Sequence, residues 1–376
     1  MATRVLIAGV STRGFAESAA RAGYDVVAVD GFGDLDLRAC AATVLVARPQ
    51  GGIRFSVRAA LRAAHGVSRD VVTYVASFEN HPAAVRALAR RGTLWGNAPA
   101  VLRRVRDPVR LARALSAHRL PAPVVRLSAP RGPSRVRWIL KPRASGGGSG
   151  IVPWRGRPVP AGSYLQRRIA GVPGSIVFAA DGRRAVPLGV SRLLAGDRAF
   201  GAGAFRYCGN ILGDADDRVR DLAGRIAAAV TEDFELVGVN GIDFVARGGV
   251  PYPLEVNPRY AASLELVERA HGLSIFETHA RACAGELPEA PPDVGGHAIG
   301  KAIVYARTDV LVGDLAAWLE DGDIRDIPEP GQRIARGQPI CTVFARGKDP
   351  RSCYAGLVQR AAWIYDALAT SRGRTA

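Results

Sequence analysis

Lysine is nearly missing from this chain: three lysines stand against forty-eight arginines, and the formal net charge is still +17. A charge of that size invites a nucleic-acid reading. No block of basic residues with interleaved aromatics occurs, however, and the arginines run along the whole length among Ala, Gly and Pro. Compositional bias explains the charge, and nucleic acid is not the expected partner. Cysteine is also scarce. Cys40, Cys208, Cys283, Cys341 and Cys353 are odd in number and form no C-x-x-C pair, which excludes a disulfide framework and a zinc site. The six histidines show no H-x-x-x-H spacing, which argues against a histidine-held metal. No run of eighteen apolar residues occurs, and the opening "MATRVLIAGV" turns at once into a strand pattern, so neither a membrane span nor a signal peptide is expected. A soluble, cytoplasmic protein is the expectation.

What is present fits an α/β enzyme: 376 residues, 48% hydrophobic, 43 glycines, and length for two or three domains. Residues 4–30 read strand, glycine turn, helix, strand, and the alternation continues to about residue 96. This is a Rossmann-like opening domain, expected over residues 1–98. Its turn, Gly9-x-x-x-x-Gly14, lacks the middle glycine that admits a pyrophosphate, so no dinucleotide site is expected there. Asp30, at the end of the second strand, reads as a turn residue rather than a ribose ligand. A central domain is expected over 99–290, and the Pro/Gly-rich "LPEAPPDVGG" (287–296) reads as a linker. A small, mainly β module closed by a terminal helix is expected over 297–376. No internal repeat is visible.

One of the three lysines ends an apolar run directly before a glycine loop, "WILKPRASGGGSGI" (138–151). Lys141 precedes the glycines, so this is not a Walker P-loop. A strand-end lysine and the loop Ser145-Gly146-Gly147-Gly148-Ser149-Gly150 read instead as a phosphate contact with a flap (143–150), whose backbone N–H groups close over phosphate oxygens. Downstream, "GIDFV" and "LEVNPR" place Asp243, Glu255 and Asn257 on two strands within 236–259 joined by a hairpin. Period-two geometry puts Glu255 and Asn257 on one face. Two carboxylates and an amide oxygen are the hard ligands that Mg²⁺ takes together with substrate phosphates. Arg259, just beyond, is placed to neutralise charge on a transferring phosphoryl group. The loop over 196–213 offers Arg198, Arg206, Tyr207 and Asn210 as a clamp for an anionic acid, or is a mobile surface loop. Lys301 reads as a solvated lysine at a strand start, with a reach over the site as the alternative.

The order of these parts resembles the ATP-grasp superfamily of carboxylate–amine and carboxylate–thiol ligases over roughly residues 1–290: an opening Rossmann-like domain, "LKPRASGGGSG", "YLQRRIAG", then "GIDFV…PLEVNPR". The acid-x-Asn-Pro-Arg piece is the most specific element. "KAIVYA…DIPEPGQRIARGQPICTVFA" is similar to the small β module of a predicted carboligase branch related to biotin carboxylase. The resemblance implies two α+β halves clamping a nucleotide. It makes Lys141 a contact to the ATP phosphates and 146–149 the flap, and it makes Gln166, Arg167, Arg168 and Ile169 the hinge whose backbone reads adenine. Asp243, Glu255 and Asn257 would hold Mg²⁺ (Mn²⁺ as the alternative ion), and Arg259 would act in catalysis, with Arg206 on the acid. It further implies an ADP-forming ligase that activates a carboxylate as an acyl phosphate for attack by an amine. That branch is associated with one-carbon carrier cofactors of the methanopterin and methanofuran type. Small-molecule acid and amine substrates are the expected partners, and a homo-oligomer is compatible.

Two departures stand out. The family's second phosphate lysine is replaced by Arg106-Asp107-Pro108-Val109-Arg110, so Arg103 or Arg110 is expected to substitute. The hinge has arginines where a glutamate usually follows Gln166. These departures support the alternative reading, a non-catalytic nucleotide- or nucleic-acid-binding protein on a degenerate scaffold.

Overall fold

The computed structural model describes residues 2–49, 55–131, 136–292, 295 and 297–372. The N-terminal strands Arg4–Ala8, Asp25–Asp30, Thr43–Val46, Val71–Tyr74 and Thr93–Leu94 form an all-parallel sheet in the order 3-2-1-4-5. Both faces of the central strands are buried, which explains their continuous Val/Ile/Ala runs. The chain order reverses between the first and fourth strands. The carboxyl ends there carry the turns at Val10–Gly14, Phe32–Asp34 and Val75–Glu79, the place where open α/β sheets bind ligands.

The rest of the chain supplies two larger antiparallel sheets and a two-stranded one, Val310–Leu311 with Arg333–Ile334. A four-stranded one has the spatial order Val125–Arg126, Ser163–Arg167, Trp138–Pro142, Val152–Pro153. An eight-stranded one runs Val250–Asn257, Val237–Arg247, Val172–Asp181, Ala185–Ala195, Tyr207–Leu212, Ala298–Tyr305, Pro339–Gly347, Ile324–Arg325. The C-terminal strands therefore extend the central sheet rather than standing apart. Ala298–Tyr305 is apolar on both faces and nearly fully buried, as a central strand must be, and it pairs with Tyr207–Leu212 on one side and Pro339–Gly347 on the other. The closing helix Pro350–Arg372 packs Cys353, Leu357, Ala361 and Ile364 against this part of the sheet.

One helix shows how the site strands are held. Asp217–Phe234 is capped by the Asp216 carboxylate, which accepts the Val219 N–H at 2.8 Å, and it ends at Glu235 in the left-handed region. Its buried Val219, Ala223, Ile226, Ala227, Val230 and Phe234 recur at helical spacing and pack on Ile242, Phe244 and Val256. Those three fix one face of the hairpin Val237–Asn257, and strand alternation turns Asp243 and Asn257 to the other. Among the described residues, no helix is long and apolar enough to cross a membrane.

Candidate active site

Between the two larger antiparallel sheets and the N-terminal turns lies a cavity of about 1080 Å³. Lys141, Gly146, Gly147, Gly148, Arg167, Arg168, Ile169, Asp243, Glu255, Asn257 and Arg259 all line it, so most of the residues singled out in the sequence converge here. Ser145, Ser149, Gln166 and Arg206 do not line it.

Register explains the acidic pair. Asp243 sits opposite Glu255 and Gly241 opposite Asn257, and a bulge follows, so that Phe244 pairs with Pro253. The extra residue, Leu254, joins Glu255 on the cavity wall. Its carbonyl accepts the Gln166 Nε2–H at 3.3 Å, and Gln166 Oε1 accepts the Lys141 ammonium at 3.2 Å. Gln166 thus ties the bulge to the lysine, and its role is to position Lys141, which is only 3% exposed. Asn257 Nδ2 donates to Asp243 at 3.0 Å, and Arg259 donates to Asn257 Oδ1 at 3.1 Å and to Glu79 at 3.0 Å.

The two carboxylates are shifted in opposite directions. Burial and the facing Glu255 push Asp243 up to about 6. Burial works on Glu255 in the same sense, but Lys141, Arg106 and Arg259 outweigh it and hold Glu255 below its ordinary value. Two facing, half-buried acids with an adjacent amide form a site that a divalent cation would satisfy. Among the described residues no group of three or more His, Cys, Asp or Glu is arranged to hold a metal.

The glycine loop is shaped by close approach. Gly148 has φ +79°, and a Cβ there would lie 1.7 Å from the Phe205 carbonyl oxygen, so no other residue fits. The Gly147 carbonyl accepts the Tyr207 N–H at 3.1 Å, which rests the loop on the segment before strand Tyr207–Leu212. At the hinge, the N–H groups of Arg167 and Arg168 are taken by the carbonyls of Val124 and Arg137 at 2.9 and 2.8 Å. Ile169, next in the chain, lines the cavity.

Several expectations need correcting. Arg206 donates to the Gly337 carbonyl and lies 5.0 Å from the Tyr305 ring centroid, so its charge is spent on the C-terminal part rather than on a ligand. Arg198 is exposed, whereas Tyr207 and Asn210 of the same loop do reach the cavity and bond each other at 2.6 Å. Arg103 and Arg110 point to solvent. Arg106 is the arginine that turns inward, donating to Val256 O, Asn80 Oδ1 and Ser145 O at 3.0 Å each, with Glu255 at 3.6 Å. The sequence holds a signal for this. Asp107 caps the next helix through Val109 and Arg110, so the residue before the cap lies off the helical surface that carries Arg110 outward. Lys301 is not solvated: it is 5% exposed and bonds Glu265 at 2.5 Å. Asp30 is a turn organiser, accepting the N–H groups of Thr12, Phe32 and Gly33.

Residues 105–263 match the model of the ATP-grasp domain. The chain carries an ATP-grasp domain. Similar solved structures lie at low identity, where likeness speaks for fold. Biotin carboxylase of Campylobacter jejuni, in complex with βγ-ATP, is 13% identical with a TM-score of 0.70, covering 95% of this chain and 90% of that one. N5-carboxyaminoimidazole synthetase of Staphylococcus aureus, complexed with ADP, is 14% identical with a TM-score of 0.67, covering 96% and 97%. L-amino acid ligase of Bacillus licheniformis has the same identity and score, covering 96% and 97%. An uncharacterised protein of Methanocaldococcus jannaschii is 30% identical over 124 residues, 32% of this chain and 29% of that protein. The ATP-grasp domain holds Lys141, the glycine loop, the acidic pair and Arg106, while Glu79 comes from the N-terminal sheet. Sequence reading missed Glu79. It is 1% exposed, its Oε1 orients Arg259, and its Oε2 has no partner among the described residues.

Proposed function

We propose that this protein is a Mg²⁺-dependent, ADP-forming ligase that activates a substrate carboxylate as an acyl phosphate for attack by an amine or similar nucleophile. The observation that supports this best is the convergence, in one cavity, of Lys141 and the glycine loop with Asp243, Glu255, Asn257 and Arg259. Lys141 and the loop N–H groups would hold the triphosphate, and the Ile169 backbone would read adenine. Asp243, Glu255 and Asn257 would hold Mg²⁺, which supplies charge neutralisation on the phosphates when bound. Arg259, fixed between Glu79 and Asn257, places a guanidinium where charge develops on the transferred phosphoryl group. Such transfers ask the protein for positioning and charge rather than covalent chemistry, and these residues supply both.

Calorimetric titration with ATP, with and without Mg²⁺, tests the proposal against Glu255→Ala. Mg²⁺-dependent binding in the wild type is expected, with a loss of about ten- to a hundredfold in the variant, the scale on which metal affinity falls when a supporting group of the site is removed. Binding that ignores Mg²⁺, or that the variant keeps, would remove the ligase reading. Nucleotide-independent, salt-sensitive binding of RNA or DNA would then favour the non-catalytic alternative.

A further inference from the structure

The cavity continues past the phosphate-facing residues to an end walled by Phe32 and Asp34 from the N-terminal sheet and by Asp326, Pro328 and Thr342 from the C-terminal strands. Direct bonds join these walls. The Leu35 N–H donates to the Ile327 carbonyl at 2.8 Å, and the Asp36 carboxylate accepts the N–H groups of Asp326 and Ile327 at 2.8 and 3.0 Å.

Four carboxylates gather here, and three of them are satisfied. Asp30 takes three backbone N–H groups and the Thr12 hydroxyl. Asp36 takes the two N–H groups just named and lies 3.5 Å from Arg13. Asp326 accepts Arg13 Nε at 3.0 Å and the Thr342 hydroxyl at 2.5 Å. Asp34 differs. Its residue is 5% exposed, it lines the cavity, and among the described residues its carboxylate has neither a hydrogen bond nor an ion pair. Although it precedes the helix Leu35–Cys40, its side chain caps nothing. The nearby cations are already engaged: Arg13 is divided among Glu17, Asp36, Glu265 and Asp326, Lys301 bonds Glu265, and Arg38 and Arg48 donate to the carbonyls of Gly33, Gly31 and Phe32. Burial, followed by Asp326, Asp30 and Asp36, raises Asp34 well above the ordinary carboxylate range. A buried acid without a donor, in a negative neighbourhood, is an acceptor waiting for a cation.

The acids do not converge as a metal-holding group among the described residues, and Phe32 and Pro328 flank them with apolar surface. We propose that this end of the cavity receives an organic cation, an ammonium or guanidinium whose N–H groups are accepted by Asp34. Its attribution to a substrate rests on the ligase reading. A nitrogen held as a cation cannot attack an acyl phosphate, so the docked group is a handle remote from the reacting atoms. Either the acid is amino-acid-like, or the nucleophile carries a second, charged nitrogen.

Thermal unfolding and calorimetry on the full chain test this with methylammonium, putrescine, agmatine and lysine chlorides against NaCl at equal ionic strength, with 1,4-butanediol as the uncharged isostere of putrescine. At least one organic cation is expected to raise the wild-type melting temperature and to bind at least tenfold more weakly to Asp34→Asn. The ligand-free variant is expected to melt above the wild type, because a buried unpaired acid is gone. Asp34→Ser replaces the asparagine variant if that variant fails to fold. Preference for putrescine or agmatine assigns the handle to the nucleophile, and preference for lysine assigns it to the acid. The proposal falls if no organic cation stabilises the protein, if butanediol matches putrescine, if only inorganic cations bind, or if the variant binds as the wild type or melts lower. MgATP binding in the same cell separates the two readings. Cation binding without MgATP binding leaves this site and removes the ligase, and the converse removes this site alone.

Discussion

Asp243 and Glu255 face each other across one hairpin, whereas Arg13 reaches Glu265 and Asp326 across 252 and 313 residues of sequence. Both groups line the same cavity, the first half-buried and the second around a fully buried guanidinium, yet their electrostatics run in opposite senses. At the end of the glycine loop Glu255 stands near Lys141, Arg106 and Arg259, which hold it below its ordinary value. At the far end one buried guanidinium is enclosed by Glu17, Asp36, Glu265 and Asp326, and its charge is consumed in holding the N-terminal region, the helix Leu264–His271 and the C-terminal strands together. Arg13 opens a helix, where the dipole disfavours a cation, so these partners are what keep it there. The comparison teaches that one end of the cavity is built to bind and the other largely to dock, with Asp34 the exception at the docking end.

Breaking the docking end gives the largest expected effect. Arg13→Met leaves Glu265 and its neighbours buried without their shared cation, and an unfolding free energy lower by about 3–5 kcal/mol is expected in urea titration. A loss under 1 kcal/mol would mean that Arg13 does not join the parts.

A second contact between the same parts titrates. His279 sits in the helix Ile275–Cys283, accepts the Val239 N–H at Nδ1 (3.0 Å), and has its Nε2 3.2 Å from the Trp95 carbonyl, so the neutral ring with a proton on Nε2 satisfies both. Burial lowers its pKa from 6.5 to about 4. The unfolded chain therefore binds the extra proton first as pH falls. Stability should decline from about pH 6.5 to pH 4 by on the order of 3 kcal/mol and flatten below that for this group. Denaturant midpoints between pH 7 and 4 for the wild type and His279→Gln measure it, the variant showing the shallower slope.

The same contrast sets what could be read from sequence. Asp243, Glu255 and Asn257 were legible because strand period and one hairpin bring them together locally, and Lys141 because it ends a strand before its own loop. The parallel N-terminal sheet was legible from its alternating strand and helix patterns. Glu79, Glu265 and Lys301 were not, because each acquires its role only from a partner in another layer: Arg259 for the first, and each other for the second pair. Arg206 was misread for a related reason, since nothing near it in sequence announces the Gly337 carbonyl. Continuity of the large sheet into Ala298–Tyr305 was hidden by the Pro/Gly-rich stretch before it, which looks like a linker whether or not the next strand rejoins the sheet.

Arg106 sharpens the comparison at its smallest scale, because it is a long-range contact at the otherwise local end. Its two terminal nitrogens hold Val256 O on the hairpin that carries Asp243 and Glu255, Ser145 O at the root of the glycine loop, and Asn80 in the turn after the fourth N-terminal strand. It also contributes to holding Glu255 ionised. The planar fork matters as well as the charge here, since a lysine cannot span three acceptors, two of them backbone carbonyls. Arg106→Ala and Arg106→Lys should therefore both weaken MgATP binding, by about tenfold and about threefold, equivalent to roughly 1.4 and 0.7 kcal/mol. Equal affinities for the wild type and the lysine variant would show that charge alone is used. A larger loss for Arg106→Ala than for Lys141→Ala would transfer the principal phosphate role from the strand lysine to this arginine.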